Sequence, residues 1–443
     1  MRAAAEQRPA AAGYSLYDLE KLTRKIADQE LALLRLNTYF LLENERVSKW
    51  APWRIFLYRM SASGLSNAGA ITGGAAQWGA YRHPKTLGHG AVKAGGILLL
   101  TGNCISIGGA CAEILFDLVT DLRLRQRHIN LQAARQRFLA LLSELDQALA
   151  RRDAMAPATG GLSAGQRRIV EADGALLRDV RDLSVREFKA SYERITRALW
   201  VRGTANAMAV EGGATGGLLG SLNVLLAATD HHPNQAGSGG LGYVISGASA
   251  MATPPILKLS GSLGAARASR KLAGAFAAAE RKSVEDFMGD RKRLEELVDE
   301  AAPAERGMLS GLSARETLYG MAETLWHNQV LSASEAAART RRSYLERMVW
   351  ATLVGGSNIP RGVATMVGGF HYPRSPSRFL EMGGVANVCW TAGTGLWMLD
   401  TVQGRLREEL QHRRLARIKA APVRQMRERL ESLEELEDLM QVF

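Results

Sequence analysis

Asn67-Ala68-Gly69-Ala70-Ile71-Thr72-Gly73-Gly74-Ala75 is the stretch on which the fold turns. The same order of small and apolar residues returns at Asn206-Ala207-Met208-Ala209-Val210-Glu211-Gly212-Gly213-Ala214, and more loosely at Gly362-Val363-Ala364-Thr365-Met366-Val367-Gly368-Gly369-Phe370. None of the three alternates with the period of a strand. Glycines four residues apart, at Gly69 and Gly73 or at Gly212, Gly216 and Gly220, let helices approach closely.

Each copy lies in the first arm of an apolar hairpin. The arms are 60–81 and 94–112, then 203–229 and 231–257, then 348–373 and 382–399. Within them the only Asp, Glu, Lys or Arg residues are Glu211 and Arg361. All six are near the roughly 20 residues that cross a hydrocarbon core. Second arms share a motif too, Lys93-Ala94-Gly95-Gly96-Ile97 against Glu381-Met382-Gly383-Gly384-Val385. Proline-bearing turns join the arms, with His83 and Pro84 in the first, His232 and Pro233 in the second, and Tyr372 and Pro373 in the third.

Outside the arms the chain is polar. All but six of its 56 Lys and Arg residues lie in 1–59, 120–202, 258–347 and 400–443. Each unit opens on a Gly-x-Ser-x-x-acid or Gln signature, at Gly13 to Asp18, Gly161 to Gln166 and Gly311 to Glu316. In such a capping box the Ser side chain accepts from the third helical amide and the acid or Gln reaches back. These starts are 148 and 150 residues apart. A helical pattern follows each, as in Leu19, Leu22, Ile26 and Leu33 or in Ile169, Leu176, Val180 and Leu183. Collars rich in Trp and Arg then precede the apolar arms, with Trp50, Trp53, Trp200 and Trp350 as interface anchors. Outgoing helices near 120–153, 264–302 and 400–440 carry seams such as Phe138, Leu142, Leu145 and Leu149, or Val423, Met426, Leu430 and Leu433.

The sequence therefore predicts an all-α integral membrane protein of three tandem units, each a helix, a transmembrane hairpin and a helix. The units are 1–155, 156–305 and 306–443, with hairpins near 60–119, 203–257 and 348–399. Six spans place both termini and the long, coiled-coil-like helices on the basic side, predicted to be the cytoplasmic side of the inner membrane. The 1–12 segment is not followed by an apolar core of signal-peptide length, so insertion is expected to rest on the internal arms. A soluble bundle is the competing reading, and it leaves six uncharged stretches unexplained.

A net charge of +12 and a pI near 9.8 would suit nucleic acid, but the basic runs alternate with acids and lack an aromatic platform, so no nucleic acid is expected. The lipid bilayer is the expected partner, together with protein partners or further copies bound through the cytoplasmic helices. Three cysteines, Cys104, Cys111 and Cys389, have no CxxC spacing and read as packing residues. Histidines at the turns read as turn structure, and neither a metal nor another cofactor is expected. Neither a nucleophile elbow nor a Walker loop is present, which points away from an enzyme.

Charged residues at membrane depth are the natural functional candidates. Glu211 and Arg361 lie within arms and could line a polar path or pair with one another. Lys93, Glu113 and Glu381 lie near arm ends. Their positions do not recur between units, so a threefold ion-selective ring is absent. The expected function is a membrane scaffold or anchor. A pseudo-threefold channel or transporter is the first alternative, and a protein that inserts from a soluble state is the second.

Overall fold

The computed structural model describes residues 14–48, 50–82, 89–230, 232–276, 284–302, 311–417 and 422–442, and every regular element among them is a helix. The first unit contains α1 (Leu16–Ser48), α2 (Ala51–Arg82), α3 (His89–Gln126) and α4 (Leu131–Ala158). Next come α5 (Ala164–Gly213), a π-helical segment (Ala214–Ser221), α6 (Leu222–Asp230), α7 (Pro233–Phe276) and α8 (Val284–Glu300). The remainder is α9 (Leu312–Met366), a second π-helical segment (Val367–His371), α10 (Pro376–Arg417) and α11 (Pro422–Val442).

Local chemistry sets most of these boundaries. Ser15 and Asp18 form the expected capping box, with the Asp18 amide donating to Ser15 Oγ at 3.1 Å and the Ser15 amide to Asp18 Oδ2 at 3.2 Å. Ser163 and Gln166 form the second. The third does not form. α9 is capped by Gly311 without a side-chain bond, so Ser313 lies inside the helix. In the same turn Arg315 donates to the buried Asp173 of α5 and the part-buried Glu20 of α1.

Two further expectations change. The second and third collars do not mark a break, since α5 and α9 run unbroken from polar sequence into glycine-rich sequence. The first outgoing helix is broken, at His128, which adopts φ 56° before Asn130 caps α4 through the Ala133 amide.

Packing divides these helices into a polar helical body and a six-armed ring. In the body, Phe138 of α4 stacks on Phe188 of α5 with centroids 3.9 Å apart, and Phe40 of α1 closes on the same ring. Leu145, Leu176, Leu183 and Phe287 extend this core to α8. Each such fully buried side chain contributes on the order of 1.5–3 kcal/mol. α11 uses Leu433, Leu436 and Met440 of its seam to pack on Ala27, Leu31 and Leu34 of α1 as well as on the start of α9. The last helix of the chain thus covers the first.

A charged cluster joins α1, α4, α5 and α9 inside this body. Asp173 of α5 accepts from Arg152 of α4 at 3.0 Å, from Arg315 of α9 at 3.1 Å and from the Tyr319 hydroxyl at 2.7 Å. Glu20 of α1 accepts from Arg315 at 3.0 Å, and Arg152 also donates to Thr23. Burial alone would weaken Arg315's hold on its proton, but the charges of Asp173 and Glu20 outweigh it and keep the guanidinium ionised. Glu30, one face along α1, is fully buried with neither carboxylate oxygen hydrogen-bonded. Burial first, and then the charge of Asp173, push its pKa well above the usual carboxylate range.

In the ring each arm touches the next. α2 packs on α3, α3 on α5 and α6, α5 on α7, α7 on α9, α9 on α10, and α10 returns to α2. Glycine makes this closure possible. A Cβ built on Gly69 would lie 2.6 Å from the Gly95 carbonyl oxygen, so α2 and α3 meet backbone to backbone. Within Gly90–Ala158 lies a window of mean hydropathy 1.6, long and apolar enough to cross a membrane, and only 28% of it is buried in the protein. Among the described residues it is the one stretch that meets that standard.

Two stability outcomes follow from the body. Asp173→Ala leaves two buried guanidinium groups facing one another and should cost roughly 3–5 kcal/mol in denaturant unfolding. Gly289→Ala, at an α8 position with nothing within 4 Å, should change stability by less than about 1 kcal/mol. Equal effects would remove the network from its central role. For Glu30 the folded pKa is raised, so its contribution is fully present below the unfolded carboxyl value and is lost as pH rises through the folded one. Glu30→Gln should therefore stabilise the protein more at pH 8 than at pH 5, and an identical gain at both would show that Glu30 ionises normally.

Candidate functional site

Among the described residues, Arg361 is the only charged side chain lining a cavity of about 50 Å³ in the half of the ring near the hairpin turns. Every arm supplies part of the wall, including Gln77 of α2, Leu99 of α3, Leu225 of α6, Tyr243 of α7 and Asn387 of α10. Arg361 itself is 2% exposed. It follows Pro360, whose missing N–H frees a backbone carbonyl one turn earlier and loosens α9 just there.

Close helix approach sets the geometry of the guanidinium. A Cβ on Gly240 would lie 2.6 Å from the Gly362 carbonyl oxygen, so α7 comes against α9 at the residue next to Arg361. One turn further along α7, Tyr243 presents its ring face to Arg361, with Cζ 3.4 Å from the centroid. Trp390 of α10 lies on another side, 4.2 Å from centroid to Cζ. Two aromatic faces thus hold the cation by its planar surface. No ion pair joins Arg361 to a described carboxylate, and its Nη1 has no hydrogen-bond partner among the described residues.

Around the guanidinium runs a belt of neutral polar contacts. Asn103 of α3 donates to Ser221 Oγ at 3.1 Å, and the Tyr243 hydroxyl donates to the same oxygen at 3.2 Å. On the far side Asn387 donates to Gln77 Oε1 at 2.8 Å, and Thr394 to Asn67 Oδ1 at 3.1 Å, both joining α10 to α2. Ser221 reaches the belt from the end of the first π-helical segment, and Gly368 lines the cavity from the second. A π-turn shifts the helix face by a fraction of a turn, and such segments concentrate at functional sites.

The other residues singled out in the sequence do not converge on this point. Glu211 lies half-buried on α5, with Thr215 donating to its carbonyl at 3.0 Å and its Oε2 unpartnered, and it does not pair with Arg361. Glu113 is 2% exposed and receives Arg54 at 2.7 and 3.0 Å. Glu381 accepts from Arg378 at 3.2 Å, and Lys93 is exposed on α3. Trp50 and Trp200 are exposed, Trp350 is half-buried, and Trp53 lies under Arg405 with 4.1 Å between guanidinium and ring centroid. Further ion pairs at the same end link Arg202 to Asp117 and Arg407 to Glu346.

Of the turns, Pro233 opens α7, where a missing N–H is harmless, and His232 beside it is exposed. Tyr372 meets His371 edge-on and closes the second π-helical segment through Val367, with Pro373 exposed after it. His83 and Pro84 lie outside the described residues. Among those described, no His, Cys, Asp and Glu side chains gather as metal ligands. Tyr243, Trp390, Gln77 and Asn387 were not singled out beforehand. Their signal was available as uncharged polar or aromatic residues inside uncharged runs, the type that bonds across helices.

The chain matches no family model, no curated protein and no solved structure.

Gly362→Ala tests whether glycine places Tyr243 on Arg361. Its Cβ would lie 2.5 Å from a backbone oxygen, so neither helix can yield by rotating a side chain. The expected cost is about 1–3 kcal/mol in thermal unfolding. Gly356→Ala, six residues earlier with nothing within 4 Å, should be tolerated.

Proposed function

We propose that this chain is a multi-pass membrane scaffold. In this reading the three hairpins cross the bilayer as six spans and hold the helical body at the cytoplasmic face for partner proteins or further copies. The observation that carries it is the inversion of the ring. Leu57, Ile71, Ile97, Leu218, Leu241 and Val388 are exposed on its outside, while Asn103, Ser221, Tyr243, Arg361 and Gln77 are turned toward its neighbours and its centre. A soluble bundle does the reverse. The exposed Trp50 and Trp200 and the ion pairs Arg54–Glu113 and Arg202–Asp117 lie where such a body would meet headgroups.

Five of the proposed spans fall short of ordinary span hydropathy because Gly, Ala, Ser and Thr replace Leu and Ile. Close packing between paired arms offsets that weakness, since each hairpin can enter lipid with its glycine faces already matched. The three units then share one architecture: a polar helix leading in, a glycine-rich hairpin, and a polar helix leading out. The belt around Arg361 supports a scaffold over a pore, because its hydrogen bonds cross between arms and the space they leave is about 50 Å³. A transporter that occludes its cargo is the second reading, favoured by the charge at that cavity.

Membrane fractionation tests the proposal directly. The chain should stay in the pellet after alkaline carbonate; release would overturn the membrane reading. With the three native cysteines replaced by alanine, Asn234→Cys at a turn should react with an impermeant maleimide in intact cells. Glu144→Cys on the helical body should react only after permeabilisation, and equal labelling would exclude the topology. Reconstituted in liposomes, the protein should hold an imposed ion gradient, whereas flux would favour the transporter.

A further inference from the structure

We infer that the cavity beside Arg361 binds one small monovalent anion, of the size and charge of a halide, nitrate or formate. The inference rests on the cavity and not on how the ring meets lipid. Three independent features converge on it.

Charge comes first. Arg361 is buried in the centre of the ring, its Nη1 is unpartnered, and the residues lining the cavity include no acid. An isolated buried cation is strongly disfavoured unless something compensates it. Tyr243 and Trp390 stabilise its faces, but a neutral ring does not cancel a full charge. Elsewhere in the chain buried guanidinium groups are matched, as Arg152 and Arg315 are by Asp173 and Glu20. Among the described residues Arg361 is the exception, and we assign the matching group to solution.

Geometry comes second. Two aromatic rings lie over the guanidinium, and the same residue lines the cavity. Gln77 and Asn387 bring amide donors to the same cavity, and the second N–H of Asn387 is available because only one is needed for Gln77 Oε1. A cluster of N–H donors without a facing carboxylate is an anion receptor.

Size and polarity come third. A cavity needs roughly 10–15 Å³ to admit one water, so about 50 Å³ admits a halide or a small oxyanion such as nitrate or formate. One cation calls for one negative charge. Leu99, Val224, Leu225 and Phe379 complete the wall, and an apolar wall favours anions that shed water readily. Bromide and nitrate should therefore bind more tightly than fluoride, and sulfate should not bind.

The test uses the purified full-length protein in detergent at constant ionic strength, with bromide replacing gluconate, an anion too large for the cavity. Thermal unfolding should rise with bromide and saturate, as linkage to a single site requires. Nitrate should act likewise and sulfate should not. In Arg361→Gln the saturable rise should vanish while any general salt effect persists. A response equal in gluconate and bromide, or an unchanged saturable response in Arg361→Gln, would overturn the site. Should that variant fail to fold, crystals of the wild-type protein soaked in bromide decide the matter. Anomalous density beside Arg361 Nη1 supports the proposal, and bromide confined to the surface refutes it.

Discussion

Arg361 lies against the rings of Tyr243 and Trp390 with no described carboxylate paired to it, and the second and third hairpins must pack together for those three side chains to meet. Packed helices ordinarily keep their axes about 8–10 Å apart. At Gly240 and Gly362 that spacing would pull Tyr243 off the guanidinium, so the glycines are a condition of the site and not merely of the packing. Three of the belt hydrogen bonds, Asn103–Ser221, Asn387–Gln77 and Thr394–Asn67, join different hairpins, whereas Tyr243–Ser221 ties the two arms of the second. Remove the closure and the Asn103–Ser221 and Asn387–Gln77 bonds are lost together.

The helical body solves a related problem in the opposite way. There two guanidinium groups, Arg152 and Arg315, share Asp173, with Glu20 completing the balance, so the buried charges cancel within the chain. Breaking up such a cluster costs more than assembling it gains, which makes it a device for specifying one arrangement of α1, α4, α5 and α9. Glu30 adds an acid without a counter-charge in contact, and proton uptake removes the conflict. In the ring no proton change serves Arg361 so readily, because a guanidinium holds its proton across the physiological range. The contrast between the two parts is what singles out the ring cavity as incomplete.

Features set by short-range chemistry were legible in the sequence. Ser15 with Asp18 and Ser163 with Gln166 form boxes from residues three apart, and the glycine-rich arms lie in the helices expected of them. Features set by distant partners were not. Ser313 and Glu316 carry the same local signature, yet Arg315 between them is drawn to Asp173 and Glu20, and the helix start moves. Nothing in the seam of α11 says that α1 is a main partner, since that choice depends on how the three units close. Arg361 stood out because charge is rare in the arms, whereas Tyr243 and Trp390 read as ordinary apolar mass until the fold set them against it.

Ring and body are not joined by flexible linkers at every crossing. α5 carries Asp173 near its start and runs unbroken to Gly213, and α9 carries Arg315 in its first turn and Arg361 five residues before its end. At about 1.5 Å per residue these helices are rods of roughly 75–83 Å, and α9 carries buried polar contacts near both of its ends. A hairpin held this way cannot slide or tilt alone without breaking the Asp173 cluster at one end or the Arg361 belt at the other. The two π-helical segments lie beyond the ring ends of those rods, so local adjustment is confined to the turns that border the cavity. One continuous helix, α9, therefore ties the Asp173 cluster of the body to the Arg361 belt of the ring, and its π-helical extension follows only after that belt.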